Sequence, residues 1–494
     1  MIKNLVILEM LLPILIGVSH IVNRRAHLVY LVTCITNVVV CVAAVFICIH
    51  VFQSGDMHYY FGGWLPPAGI EFKITKFNSV ITCLISVIST ATFLHGKNVM
   101  FDEIDISKIN SFCGVFLICL AGFIGVLLTN DFFNLYVFIE ISSLASYSLI
   151  SISKDKSSIK AAFCYLIIGS IAATFILIGI AYIYSASGTL NIDDFISKLP
   201  NIQESNSVRI GYCLILVGIL IKSGLFPLHT WLVDSYKSTN SFIVPFLNGT
   251  SSKIYIFLAI NLTYLIFGIH YSFHHLNISF IFGAMGAMAI IMCSLAALYQ
   301  SNLRNMLIFS TVSQIGYTFV ALGLGSKASA VAAIMFLFGN ILAKSSLFML
   351  ASNIYLNRRS YDMSKLHNLK SHMPIVVVLF AINGASIAGV PLTIGFSAKI
   401  SLIIELIKKD MWVMLAIVLC SSLVAILYIW KFMETFLYSK AGSINDSKRK
   451  DGFGVYSERE LYFPLSIIAF LTGANLICGV FFNRFAEFLN NLIL

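Results

Sequence analysis

The chain has 494 residues, of which 59% are hydrophobic and 11% charged, and a formal net charge of +10. Soluble domains carry about 25% charged residues, so a soluble enzyme or a nucleic-acid-binding module is excluded, and the mean hydropathy of +0.91 points to the membrane. The basic excess lies mostly between apolar segments, where it sets orientation and does not mark an acidic partner or nucleic acid.

Apolar stretches of bilayer-spanning length recur from end to end. The opening run, MIKNLVILEMLLPILIGVSH, lacks a small-x-small cleavage site, carries Glu9 and continues into more membrane. It reads as a first spanning helix and not as a secretion signal. Hydropathy and helix-break residues predict about fourteen spans. They fall near 2–20, 28–53, 76–95, 109–128, 131–152, 159–184 and 209–234 in the first half. Those of the second half fall near 240–267, 275–298, 305–324, 329–352, 373–402, 411–438 and 460–484. The loops near 54–75 and 185–208 are polar and long enough for lids or subunit contacts, but not for a soluble catalytic module. Cys34, Cys41 and Cys48 recur every seven residues on one helix face. With no CxxC and no Cys/His spacing, the eleven cysteines predict packing and neither a metal site nor a cofactor.

Roughly eighteen Lys and Arg fall in the odd-numbered loops, against roughly nine in the even loops and termini. The odd groups include Arg24/Arg25, Lys154/Lys156/Lys160, Arg358/Arg359 and the SKRK run at 447–450. The odd loops are therefore expected to be cytoplasmic, with both termini outside. Within spans stand Lys222, Lys253, Lys344, Lys399 and Lys431, and the acidic residue nearest mid-span is Glu140. Lys431 is close enough to a helix end to snorkel. The others need a reason, because an ionisable group at mid-membrane costs at least about 2.5–3.5 kcal/mol and such groups usually line an ion path or pair with one another. Four bases for one acid exceed simple pairing.

The stretch 218-GILIKSGLFPLHTWLVD-234 sets Lys222 just before Gly224 and Pro227, a deliberate fracture in a membrane helix. Irregular backbone at that depth is tolerated only in protein or beside a water-filled cavity. Burial disfavours a charged lysine, and a nearby carboxylate restores it. Glu140 near Lys222 thus predicts a switch that holds a proton when the pair is together and releases it when they part. His229 has two readings, a proton acceptor or a clasp on a carbonyl freed by the break. A second fracture lies in 383-NGASIAGVPLTIGFSAKIS-401, where Gly389, Pro391 and Gly395 precede Lys399. The two fractures lie five spans apart, so the broken helices run in opposite directions, as in inverted-topology repeats. The expected fold is an all-α integral membrane protein of about fourteen transmembrane helices with two inverted five-helix repeats, each containing a broken helix. Residues 1–108 would form three leading helices, 109–267 the first repeat, 275–438 the second, and 460–484 the last helix.

These motifs resemble a known family. The stretch 129-TNDFFNLYVFIEISSLASYSL-149 resembles the glutamate-bearing helix of the proton-translocating antiporter subunits, shared by respiratory complex I and the multisubunit Mrp-type Na+/H+ antiporters. The fracture at 222–232 resembles the family's broken seventh helix. Also similar are 250-TSSKIYIF-257, 300-QSNLRNMLIFSTVSQIGY-317, 343-AKSSLF-348 and 386-SIAGVPLTIGFSAK-399, in the same order over most of the chain. Within the family, 58-HYYFGGWLPPAGIEF-72 looks like the D-type Mrp subunit. The resemblance implies a switch pair of Glu140 and Lys222, then Lys253 as the next relay group, Lys344 at the centre and Lys399 at the exit side.

The resemblance further implies a proton-translocating subunit of a hetero-oligomeric monovalent cation (Na+)/proton antiporter in the cell membrane. Its partners would be other membrane subunits, the lipid bilayer, protons and a monovalent cation. Two readings stay open beside it: a proton-pumping membrane subunit of an NADH:quinone oxidoreductase, and a structural assembly subunit. The chain departs from the family twice. Asn340 stands where the family often has histidine, four residues before its lysine, and amide groups cannot shuttle a proton near neutral pH. The family's double proline is reduced here to Pro391-Leu392.

Overall fold

The computed structural model describes residues 2–20, 22, 25–438 and 462–493. Arg24 and the SKRK run, both used above for orientation, lie outside the described residues. The described residues are helical apart from one short hairpin. The chain opens with α1 (Ile2–Ser19) and α2 (Ala26–Ser54), then strands β1 (Met57–Tyr60) and β2 (Glu71–Ile74). There follow α3 (Lys76–His95), α4 (Lys97–Glu103), α5 (Ile109–Leu128), α6 (Phe132–Ser151), α7 (Ser157–Ser187) and α8 (Ile192–Ile202). Next come α9 (Asn206–Ser223), α10 (Thr230–Ser238) and α11 (Val244–Ile260), with π-helical turns at Asn261–Ile266 and His270–His275. The second half holds α12 (Ile278–Tyr299), α13 (Leu303–Gly323), α14 (Lys327–Arg358), α15 (Pro374–Ala388), α16 (Ile394–Lys408) and α17 (Trp412–Leu437). Helices α18 (Tyr462–Val480) and α19 (Phe482–Ile493) close it.

Among the described residues, eleven helices are long and apolar enough to cross a membrane. The other expected spans also coincide with helix but are shorter or interrupted: α1, α11, and the α15–α16 pair. The chain is a multi-pass membrane protein. Its interior is reached by burying whole helices and not by turning one face inward. Helix α14 is buried along its entire apolar stretch, whereas α2, α7 and α17 leave most of theirs exposed. The apolar contacts run through the bundle as one continuous core.

Local chemistry explains where helices start. Asp131 caps α6 by accepting the Asn134 amide at 2.7 Å, so this carboxylate is a helix-terminus residue. Thr75 and Asn78 cap α3 reciprocally, and Ser326 and Ser329 do the same for α14. Helices α7 and α9 pack closely at Gly179 and Gly211. A Cβ on either would stand 2.7–2.8 Å from the other's carbonyl oxygen. Only hydrogen fits there, as expected where membrane helices pack through small residues. Gly179→Leu is expected to destabilise the bundle by about 1–3 kcal/mol, read as a lower melting temperature of the purified protein in detergent, and an unchanged melting curve would refute the contact.

The two polar loops fold into one cap. Glu71 of β2 is buried and accepts hydrogen bonds from His58 Nδ1 (2.5 Å), Asn130 Nδ2 (2.9 Å) and Asn191 Nδ2 (3.1 Å). Beside it, Lys73 Nζ pairs with Asp193 at the start of α8, 2.8 Å to either oxygen. The segment 185–208, readable in the sequence only as polar loop, contains the 11-residue amphipathic helix α8, which lies over the ends of α6 and α7.

Candidate proton path

Both fractures foreseen from sequence are present, and they are built differently. Helix α9 ends at Gly224, which takes the left-handed φ of 73° that favours glycine. The chain then turns through Phe226–His229 before α10. At the fracture the Ile221 carbonyl accepts from the Gly224 amide at 3.1 Å and from Trp231 Nε1 at 3.0 Å. Trp231, and not His229, is thus the side chain that takes that carbonyl. The His229 ring leans on Phe226, ring centroids 5.1 Å apart, while its Nδ1 is buried without a partner. In the second fracture, α15 stops at Ala388 and α16 begins at Ile394. Leu392 sits there at φ 73°, a conformation closed to proline and strained for leucine by roughly 1–2 kcal/mol. The missing second proline therefore does not mend the helix; the break is made with a left-handed leucine instead.

The four lysines named from sequence are all buried, with exposures of 0–5%. Lys222, in the last turn of α9, donates to Ser143 Oγ of α6 at 2.8 Å and lies 5.6 Å from the centre of the Tyr255 ring. Ser143 in turn is 3.4 Å from the Tyr255 hydroxyl of α11. Glu140 stands one turn before Ser143 and is only partly buried. Its charge acts on Lys222, but the first contact of the ammonium is the serine. The structure therefore brings Glu140 and Lys222 to one region without a direct bond.

Two residues before Tyr255, Lys253 donates to Ser252 Oγ at 3.1 Å. Lys344, on α14, lies close enough to feel the Lys253 charge. It donates to the Leu307 carbonyl of α13 at 3.2 Å and to Ser310 Oγ. Lys399 reaches back across the second fracture to the carbonyls of Ile387 (3.1 Å) and Ala388 (2.9 Å), the C-terminal end of α15, where a helix favours positive charge. Its ammonium also lies 5.1 Å from the centre of the Tyr317 ring. Between Lys344 and Lys399 is a small cavity of about 10 Å3, lined by Gln314, Asn340, Ser386 and Ile387 among others. That space is close to what one water needs, and Asn340 Nδ2 is buried there without a partner. A bridging water suits the site where the family's histidine is replaced.

None of the four lysines has a carboxylate among its hydrogen-bond partners. Neutral oxygens and ring faces hold them instead. Such partners accept from either ammonium or amine, so each lysine can gain or lose a proton without breaking an ion pair. Titration in place, joined through hydroxyls and water, is what this arrangement can do chemically.

Ser143 and Ser252, which in sequence stand beside the buried charges and could equally be packing residues, contact Lys222 and Lys253 directly, and Ser310, not evident from sequence, contacts Lys344. Tyr317 faces Lys399 from another helix. Glu9, noted in the sequence only as a mark against a cleaved leader, is 1% exposed, and both its carboxyl oxygens lack partners. It is more deeply buried than Glu140. Arg304, whose place beside Gln300 and Asn302 at a span end would by itself suit a positive-inside anchor, is buried and donates to the carbonyls of Tyr236 (2.8 Å) and Thr239 (2.5 Å).

Residues 129–425, more than half of the chain, match the family described as NADH:quinone oxidoreductase/Mrp antiporter, transmembrane. The chain is 32% identical to the N subunit of the NADH-quinone oxidoreductase of Desulforudis audaxviator, over 76% of this chain and 74% of that one. It is 27% identical to the D subunit of the Na(+)/H(+) antiporter of Alkalihalophilus pseudofirmus, over 95% of this chain and 93% of that one. A chain in the solved Mrp complex from Dietzia sp. DQ12-45-1b superposes with a TM-score of 0.86 at 22% identity, covering 100% of this chain and 97% of that one.

Proposed function

The chain belongs to the NADH:quinone oxidoreductase/Mrp antiporter family of membrane subunits, and on that premise we propose that it is the D-type, proton-translocating subunit of a multisubunit monovalent cation/proton antiporter. The observation that carries the reading is the set of four buried lysines without carboxylate partners, spaced across the bundle on α9, α11, α14 and α16. Protons pass laterally from the Glu140–Lys222 switch through Ser143 and Tyr255 to Lys253, then to Lys344, and by water beside Asn340 to Lys399. His229 stands beside the first fracture as an auxiliary proton group. The two fractures, five spans apart, support a pair of inverted repeats within about fourteen spans. The charge count supports a cytoplasmic placement of the odd loops, with both termini outside a bacterial inner membrane.

Near-full-length similarity to the D subunit of an antiporter supports partners of the same kind: further membrane subunits in one hetero-oligomer. Lysines are poor ligands for a monovalent cation, so cation passage is assigned to those partners. The test is to purify the complete complex, reconstitute it in vesicles and impose a pH gradient. Dissipation of the gradient on adding Na+ or another monovalent cation is expected. The 32% identity to an oxidoreductase chain favours the second reading, a redox-driven pump. Flavin and iron–sulfur subunits copurifying with the chain, and no cation-dependent exchange, would establish that reading in place of the first.

A further inference from the structure

Beneath the cap made by the hairpin and α8 lies a cavity of about 150 Å3 that the lysines do not line. Its floor is apolar and belongs to the helices of the first half: Ile176 of α7, Ile215 and Ile219 of α9, and Phe257 of α11. Its mouth is polar, where Lys73, Asn130 and Asp193 of the cap meet. On its wall stands Asn261, at which α11 leaves regular α-helical winding for its π-helical turn. Such turns are frequent at functional sites. Ile196 of α8 and Leu265 of the π-helical turn, also on the wall, are 36% and 41% exposed. The cavity thus opens outward over an apolar lip.

Size, an orphaned amide and the charges at the mouth together define a guest. An apolar cavity of this volume stays dry and holds a body of about one benzene ring, or a comparable run of methylenes. Asn261 Oδ1 is buried without a hydrogen-bond partner, and buried polar groups are rarely left so. The amide can turn over and present its nitrogen instead, so an ester carbonyl at this height satisfies it. At the mouth, Lys73 gives Asp193 two of its three ammonium hydrogens, 2.8 Å to either oxygen, and keeps one. Asp193 accepts those two and a third from Asn130 Nδ2 at 3.1 Å. A carboxylate accepts about four, so one place remains. One cationic donor therefore stands free beside one anionic acceptor. A phosphate joined to a primary ammonium complements that pair, whereas a purely anionic or purely cationic head leaves one of the two unmet.

We propose that this cavity binds one ethanolamine-headed phospholipid, with its phosphate on Lys73, its ammonium on Asp193 and a glycerol ester at Asn261. A short run of methylenes from one tail fills the floor, and the other tail leaves over the lip at Ile196 and Leu265. By the charge count, the lipid comes from the outer leaflet. The assignment goes beyond the relay reading, and binding does not depend on it. Its consequence for a relay is mechanical. Ile219 stands one turn before Lys222 and Phe257 one turn after Lys253, so a tail seated between them fixes the spacing of α9 and α11 beside both lysines.

The test places the complete complex in phosphatidylglycerol vesicles containing a trace of phosphatidylethanolamine with a photoreactive diazirine in one tail. After illumination, labelled residues are read by peptide mass spectrometry. Labelling of the cavity walls on α7, α9 and α11 is expected. A phosphatidylcholine probe, whose head has no N–H to donate, should label them about tenfold less. Asp193→Asn should erase that preference. Val126→Phe, which sets a ring into the cavity from α5, should abolish wall labelling and leave labelling of the exposed α2 unchanged. Equal wall labelling by the two probes in the wild type overturns the proposal, as does labelling confined to exposed helix faces. Wall labelling that persists in assembled Val126→Phe complexes also overturns it; where that variant does not assemble, Asp193→Asn decides. Lys253→Ala complexes are run beside them. Wild-type exchange in that variant with the walls still labelled would end the relay and spare the site, whereas lost exchange with unlabelled walls in every complex would end the site and spare the relay.

Discussion

Lys222→Ala is expected to lower proton-coupled exchange in vesicles of the assembled complex by about a hundredfold or more, the usual loss when a positioned proton-transfer group is removed. The reason is local. Once the amine is gone, Ser143 and Tyr255 still connect α6 to α11, but neither titrates near neutral pH; a tyrosine does so only near 10. The link becomes a hydrogen-bonded spacer with no group able to store a proton. Glu140→Gln leaves the amine in place and removes only the charge that favours its protonated form, so its loss should be smaller and should vary with pH. Ser143→Ala removes the first oxygen that Lys222 meets and should fall between the two. Lys222→Ala complexes that assemble and exchange at the wild-type rate would end the relay account.

Lys344→Met separates function from stability most cleanly. Lys344 is wholly buried, and the Lys253 charge acts on it from nearby. Replacing a buried charge by an apolar side chain of similar length is often neutral or stabilising by about 1–4 kcal/mol. Its two acceptors do not object. Ser310 Oγ already donates to the Leu307 carbonyl at 2.9 Å, so both remain partnered when the ammonium is withdrawn. The expected result is an equal or higher melting temperature together with loss of exchange of about a hundredfold or more. A large fall in melting temperature with exchange retained would instead make Lys344 a structural brace.

The spans were legible because a bilayer demands about twenty apolar residues in a row, whatever they pack against. The fractures were legible for a related reason: Gly224, Pro227, Gly389 and Pro391 change backbone geometry wherever they stand. The buried lysines stood out because mid-membrane charge is rare. What surrounds each lysine was not legible. Ser143 reaches Lys222 from 79 positions away and Ser310 reaches Lys344 from 34. Neither serine differs in sequence from one that merely packs. Glu9 escaped for another reason: its depth depends on α2 and α5 closing over α1, and hydropathy along α1 cannot reveal that. Arg304 looked like a membrane-edge anchor because the linker it grips lies 65–68 residues earlier. At Leu392 the sequence showed only a missing proline; that the chain breaks there anyway is a backbone event.

Helix α14 is 32 residues long, roughly 48 Å at 1.5 Å per residue, and its apolar stretch is enclosed by other helices. A lipid-facing helix meets a change of bilayer thickness by tilting or by deforming the lipid around it. Helix α14 has no lipid to answer to. Mismatch would fall on the more exposed α2, α7 and α17, and Lys344, the central member of the proposed relay, would stay at constant height. Membranes that thicken or thin with temperature and growth therefore strain the rim of this protein while leaving the spacing of Lys253, Lys344 and Lys399 unchanged.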